Sequence, residues 1–301
     1  MKHQLFAAIS ALASAVTARP AAAAAACDRA TLVSISDSYV AAQAAGLLET
    51  LKGVDANTVY TQNFKTATLA SGLLSQSFKI DHNRSTHDTT QCATYTELSM
   101  RCFHLLLVSL VCPLLPEFSR PFSLPLHEMG RHHTQLTQPT PAQSSPTPRT
   151  PHVVATQIRL SPNSTAPTIS KIETIVTSTG DWLFNAPATL RYASQESWGE
   201  IPEAQRDTRE AIQAAADAYL DLFNDKSVKV PWGSPCARLE GGSYVQPRCD
   251  VGVPSGVRQT NRRYVVDEVT GAVDVFFDFA GADPDSHEFR VEGASFATCI
   301  P

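Results

Sequence analysis

The chain has 301 residues, 43% of them hydrophobic, and a net charge of −5. That apolar content supports a packed core and excludes wholesale disorder, while the lack of any Lys/Arg block argues against nucleic acid or an anionic membrane surface as partner. Seven cysteines, an odd count, leave at least one thiol without an intramolecular partner.

Met1-Lys2-His3, the apolar run Leu5 to Ala18 and the small residues up to Ala26 read as a secretory signal peptide with an Ala-rich linker, residues 1–26, cut after Ala18 or within Ala21 to Ala26. The run is too short to span a bilayer. The expectation is a secreted, extracellular protein with oxidised cysteines. Two sequons, at Asn83 and Asn163, are candidate glycosylation sites on its surface.

Asp28 is a candidate N-cap for a helix running to about Lys52, with Leu32, Ile35, Tyr39 and Gln43 at helical spacing and Gly53 as its stop. A β-rich segment follows, from Thr58-Val59-Tyr60 to Thr94-Tyr95-Thr96. The texture then breaks. Residues 99–151 hold nearly half of the chain's twenty prolines and cannot form regular structure. Unstructured stretches of that length are uncommon inside a compact domain. Ser99-Met100-Arg101 can be encoded across a splice-donor-like sequence and Leu136-Thr137-Gln138 across a branch point and acceptor. The segment is read as a retained intron, with a disordered Pro-rich insertion as the alternative.

Order returns with a strand over Val153 to Leu160, a turn at Pro162-Asn163-Ser164 and a second strand from Thr168 to Thr177. A loop through Trp198-Gly199 leads to a helix over about Glu203 to Asn224, with the stripe Ile212, Ala215, Ala216, Tyr219, Leu220 and Phe223. A β-meander closes the chain: Arg262 to Val269, Ala272 to Phe279 and Ser286 to Glu292. Val273, Val275, Phe277 and Phe279 share one face and Asp274, Phe276 and Asp278 the other. Ser36-Asp37-Ser38-Tyr39-Val40 is echoed by Ala216-Asp217-Ala218-Tyr219-Leu220. The expected fold is therefore α+β: two related units, each a helix with a curved antiparallel sheet, plus the insertion. The first unit spans 27–200 and the second 201–301.

Cys236 and Cys249 bracket a Gly- and Pro-containing segment suited to a local disulfide, leaving Cys27 and Cys92 for a second, although spacing alone leaves three pairings open. Cys102, Cys112 and Cys299 fall in aberrant stretches. Without Cys-x-x-Cys, and in a secreted context, zinc is not expected. No P-loop, dinucleotide fingerprint or Gly-x-Ser-x-Gly is present, so no cofactor is expected.

The densest titratable cluster is Asp81, His82, Arg84, His87 and Asp88. A carboxylate beside an imidazole makes an acid–base pair if both are buried; a solvated loop is the competing reading, and the Asn83 sequon favours it. Asp81 or His82 is the candidate base, with Arg84 or Tyr264 as oxyanion partner. His87, Asp88, Trp182, Trp232, Arg238 and Glu240 are candidate ligand contacts. For the meander's Asp274, Asp278, His287, Glu288 and Arg290, cross-strand ion pairing on a solvent face is the favoured reading.

Several words resemble a family of secreted fungal proteins known chiefly as a domain of unknown function: Lys79 to Asp88, Thr179-Gly180-Asp181-Trp182-Leu183-Phe184-Asn185, Ile201 to Arg209, Val230-Pro231-Trp232-Gly233, Cys236 to Gly242 and Ser286 to Gly293. The resemblance implies that most of 99–151 is extra, and that Ala294 to Pro301 departs from the family and a final strand is lost. Its pattern is similar to the cone-shaped fold of nuclear transport factor 2 and SnoaL-like cyclases; fold does not fix function, and no catalytic residue is carried over. The expected function is a small-molecule pocket that binds a metabolite or isomerises, dehydrates or cyclises it. The alternative is a non-enzymatic extracellular protein at a cell wall or host surface. Whether it is an enzyme, and its oligomeric state, stay open.

Overall fold

A computed structural model describes residues 27–100, 150–162, 166–281, 283–292 and 295–300, with the backbone alone for 291–300. The expected signal peptide, the segment 101–149 with Cys102 and Cys112, and Asn163 lie outside the described residues.

Asp28 caps helix α1 (Arg29–Ala45), its carboxylate accepting from the Thr31 amide at 2.7 Å. Leu32, Ile35, Tyr39 and Gln43 are all buried. The helix ends at Gly46, not at Gly53. Gly46 has φ 69°, and a Cβ there would lie 2.3 Å from the Ser77 backbone nitrogen, so only glycine fits.

The first sheet contains β1 (Val59–Gln62), β2 (Lys65–Thr66), β3 (His82–Asp88), β4 (Ala93–Met100), β5 (His152–Leu160) and β6 (Ile169–Ser178), in the order β2-β1-β6-β5-β4-β3. The second contains β7 (Trp232–Glu240), β8 (Ser243–Val245), β9 (Gln259–Asp267), β10 (Ala272–Phe279), β11 (Asp283–Glu292) and β12 (Ser295–Ile300), in the order β8-β7-β12-β11-β10-β9. The two orders are the same, and α3 (Arg209–Leu222) precedes the second sheet as α1 precedes the first. From N-cap Asp28 to Tyr39 and from N-cap Thr208 to Tyr219 is the same eleven residues. The expected pair of related helix-and-sheet units is thus present, with one difference. Each sheet holds one parallel pair, β1 with β6 and β7 with β12, because the last strand of each unit returns beside the first in the same direction. The intervening strands supply the long connection such a pair requires.

Helix α1 packs on one face of the first sheet through Leu32, Ile35 and Tyr39 against Leu98, Val154 and Ile172. Helix α3 packs likewise on the second sheet, with Ile212, Tyr219 and Phe223 against Val273, Phe277 and Phe289. A third cluster joins Tyr95 and Ile175 of the first sheet to Val265 and Phe276 of the second. The two sheets therefore turn their other faces toward each other. Every residue of β4 is buried for this reason.

Several sequence expectations change. The helix expected from Glu203 begins at Arg209, after a short 3-10 turn at Glu203–Gln205, because Thr208 is the residue whose side chain accepts from the Ala211 amide. Helix α2 (Ala186–Ala193) was not expected; Asn185 caps it and Pro187 sits in its first turn. The final strand is not lost, since β12 pairs with both β11 and β7. The compositional break begins after Ser99 and Met100, which belong to β4 and pair with Val153 and His152. The segment around Asp81 to Asp88 is a strand rather than a solvated loop. Strand alternation leaves Asn83 exposed while Arg84, its neighbour, is half-buried.

Candidate functional site

The facing surfaces of the two sheets carry a polar cluster that continuous apolar packing would have excluded. Arg84 on β3 reaches three carboxylates: Glu288 on β11 at 2.9 Å, Glu196 after α2 at 3.0 Å and Glu97 on β4 at 3.5 Å. The Trp198 ring lies 4.0 Å from the guanidinium carbon, and its indole N–H donates to Glu196 at 3.0 Å. One cation cannot neutralise three carboxylates in a buried site. Burial pushes the Glu288 carboxyl up to about 7, against the pull of Arg84 and with help from Glu97. Burial likewise pushes Glu196 up to about 7. Burial works against the Arg84 charge, but Glu288, Glu97 and Glu196 outweigh it and raise its pKa.

The pairing register aligns Arg84, Glu97, Ala155 and Ile175 in one row across the first sheet. The small Ala155 beside Glu97 leaves space, and a cavity of about 140 Å³ opens there. Tyr95, Val153 and Ile175 form its first-sheet wall, Thr189 of α2 and Ser286 of β11 supply hydroxyls, and Phe184 and Trp182 stand at one side. Trp182 is 76% exposed and also borders a wider cleft of about 690 Å³, so it marks the mouth. Glu97 is 4% exposed, and its Oε1 is buried without a hydrogen-bond partner. The other oxygen faces Arg84. A buried carboxylate oxygen without a donor is costly, and here it belongs to a residue that lines the cavity. Burial raises the Tyr95 pKa, so its phenol stays protonated.

The loop carrying Trp182 and Phe184 rests on the β7–β8 turn. A Cβ on Gly241 would lie 2.7 Å from the Leu183 Cβ, and one on Gly242 would lie 2.7 Å from the Asn185 Cβ. The two glycines therefore permit the close approach that seats this wall.

The residues singled out from sequence divide into groups. His82 and Arg84 lie on the inner face beside Glu97. His82 Nε2 is buried without a partner, and burial lowers its pKa, against the attraction of Glu97. Trp182 and Glu240 line the cavity. Asp81 pairs with Lys79 at 3.3 Å. Asp88 holds Arg209 through two bonds of 2.7 Å and accepts from the Val266 amide, so it ties the two repeats together. Tyr264 faces α3 and donates to Asp217 at 2.5 Å, on the face of the second sheet away from Arg84, and the two do not meet. Trp232 packs against Tyr219 at 5.6 Å. Arg238 pairs with Glu240 at 3.4 Å. Both disulfides form, Cys27–Cys92 and Cys236–Cys249. Asp274 and Glu288 are not on a solvent face but buried between the sheets. Asp274 accepts from Gln157 and Ser286. Arg290 lies opposite Ala272, and Asp278 opposite Pro284, so the expected cross-strand ion pairing does not align these two.

His87 turns to α1, where its Nε2 lies 2.9 Å from Ser36 Oγ, with Asp267 Oδ2 3.9 Å from Nδ1. This Ser-His-Asp set is not arranged for nucleophilic attack. The Ser36 hydroxyl has the Val33 carbonyl at 3.0 Å as an acceptor, which competes with His87 for its one proton. Ser36 is also only 1% exposed. Asp267 instead accepts from the His87 amide and from Arg29.

Glu97, Glu196 and Tyr95 were not singled out from sequence. Tyr95 and Glu97 are two residues apart on β4 and so share a face, but nothing local shows that this face meets a second sheet.

A domain of unknown function (DUF8021) is found at residues 205–298, running from the start of the second repeat into β12. No curated protein and no solved structure matches the chain. Among the described residues, no helix is long and apolar enough to cross a membrane.

Proposed function

We propose that this is a secreted small-molecule pocket protein that works on a metabolite by proton transfer, with Glu97 as the base. The observation that carries the reading is Glu97 in the lining of the cavity between the sheets, a buried carboxyl whose Oε1 has no hydrogen-bond partner. Arg84 holds the other oxygen, which fixes the orientation of the carboxylate. The Glu97 carboxylate accepts a proton from a carbon next to a carbonyl, whose oxygen takes up the electron pair as an enolate, the first step of enolate-type isomerisations, dehydrations and cyclisations. The Tyr95 phenol and the Thr189 hydroxyl are the nearby donors for the oxygen on which charge develops. His82, also on the inner face, is the second candidate for moving that proton. Secretion, a fungal origin and the likeness to cone-shaped cyclase folds belong to the same proposal; the two disulfides support the first of these.

The second reading, a glycosylated protein at a cell wall or host surface, draws on the exposed Asn83 on edge strand β3. A glycan there leaves the first reading intact, because Asn83 and Arg84 point to opposite faces.

The test is incubation of the wild-type protein and Glu97→Gln with metabolite extract of the source organism, followed by mass spectrometry. The wild type retains or converts a species that the variant leaves untouched, with a loss of at least a hundredfold for a base. Equal behaviour of the two proteins rejects the reading.

A further inference from the structure

We propose that the ligand is an uncharged glycoside, with a single-ring aglycone in the cavity between the sheets and its sugar in the wider cleft outside. This rests on the pocket reading above and names its substrate class. Continuity carries the inference. Ile175, Thr177, Trp182 and Asp285 line both the cavity of about 140 Å³ and the cleft of about 690 Å³, so the two spaces meet along a shared wall and one molecule can occupy both. The inner space has Tyr95, Val153, Ala155 and Phe184 in its lining, which offer a ring apolar and π surface. Its volume is close to the roughly 150 Å³ engineered cavity that accommodates benzene, so it takes one ring and the rest of the molecule lies outside.

The outer cleft has a different chemistry. Asn63, Lys65, Asp181 and Asp283 line it and not the inner cavity. Two of these are fixed in advance: Asn63 exchanges bonds of 2.7 and 3.3 Å with the Val176 backbone, and Asp181 accepts from the Ser178 amide at 2.7 Å. Lys65 and Asp283 are exposed. The carboxylates of Asp181, Asp283 and Asp285 stand with a single ammonium, Lys65, in this cleft, so an anionic ligand meets net repulsion. A simple amine suits the carboxylates but not Lys65. A sugar suits both, because each hydroxyl can donate to a carboxylate or accept from an ammonium. Its C–H face is apolar and packs against an aromatic ring. Trp182, 76% exposed where the two spaces meet, presents that ring.

The experiment is an amide NMR titration of the full-length protein at neutral pH with phenyl β-glucoside, phenol and phenylpropylamine. Phenol is expected to shift the amides of Ala155 and Thr189 in the inner cavity. Phenyl β-glucoside is expected to shift these and also Lys65 and Asp283, and to bind about tenfold or more tightly than phenol, because the sugar adds a second set of contacts to the same molecule. Phenylpropylamine, which keeps the ring and replaces the sugar by a cation, is expected to bind no more tightly than phenol. Trp182→Ala, which removes an exposed ring, and Asp283→Ala are each expected to erase most of the advantage of the glucoside over phenol. If the glucoside binds no more tightly than phenol, or phenylpropylamine binds as tightly as the glucoside, the glycoside inference falls and the pocket stands. If neither the glucoside nor phenol shifts Ala155 and Thr189, both fall. Should either variant fail to fold, the ranking of the three probes on the wild type decides alone.

Discussion

At the scale of single residues, the unusual feature is the ratio of three carboxyls to one guanidinium around Arg84. Its consequence is a pH dependence opposite to that of an ordinary surface carboxylate. The Glu288 carboxyl is raised from 4.5 to about 7, chiefly by burial. Between those values the folded protein holds a proton that the unfolded chain has released, so stability is highest at the acid end and falls as pH rises toward about 7. His87 works the other way. Burial lowers it from 6.5 to about 4, so between those values the unfolded chain binds a proton that the folded protein does not, and stability rises with pH. Glu288→Gln removes the first effect and leaves the second. Its unfolding free energy at pH 8 minus that at pH 5 should therefore exceed the wild-type difference by up to about 3 kcal/mol. Denaturant unfolding of both proteins at the two pH values measures this, and parallel profiles would contradict it.

At the scale of elements, the two helix-and-sheet repeats are fastened differently. Cys27–Cys92 ties the start of α1 to the β3–β4 turn across 65 residues, whereas Cys236–Cys249 closes 13 residues around β7 and β8. Loop-closure entropy scales with the logarithm of that separation, so removing the first bridge by paired Cys→Ser changes should cost about 4 kcal/mol and removing the second about 3 kcal/mol. The unfolding free energies of the two double variants test the order. The second bridge lies in the repeat that also seats Glu240 and Gly241 against the cavity. Its loss should therefore weaken ligand retention beyond its effect on stability, whereas loss of the first should not.

At the scale of the whole molecule, residues 101–151 join two strands whose ends already face each other, with Met100 opposite His152 and Ser99 opposite Val153. A hairpin of that register needs only a two-residue connection. Replacing 101–151 by Asn-Gly should preserve the amide spectrum of β4 and β5. It should also leave stability equal or higher, because a shorter loop costs less entropy to close. Failure of that variant to fold would show the segment to be required, against the retained-intron reading. The two repeats themselves are held together by Asp88–Arg209 and Asp267–Arg29, and neither pairing could be foreseen from local sequence.

What the sequence determined by itself is the part that local periodicity encodes. The Asp28 cap, the buried stripe of α3, the alternation of β10 and the echo between Tyr39 and Tyr219 follow from spacings of two and three to four residues. They were enough to reach the class of fold and its repeat. The tertiary structure decided which strand faces meet. Arg84 and Glu97 come from neighbouring strands, but Glu288 lies 204 residues from Arg84, and no local pattern connects positions so far apart. The alternation of β10 divides Val273, Val275 and Phe277 from Asp274 and Phe276 in the same way whether the second face meets water or another sheet. Only the packing of the two repeats made that polar face an interior one, and it is this burial that leaves Glu97 with an unpartnered oxygen beside a cavity.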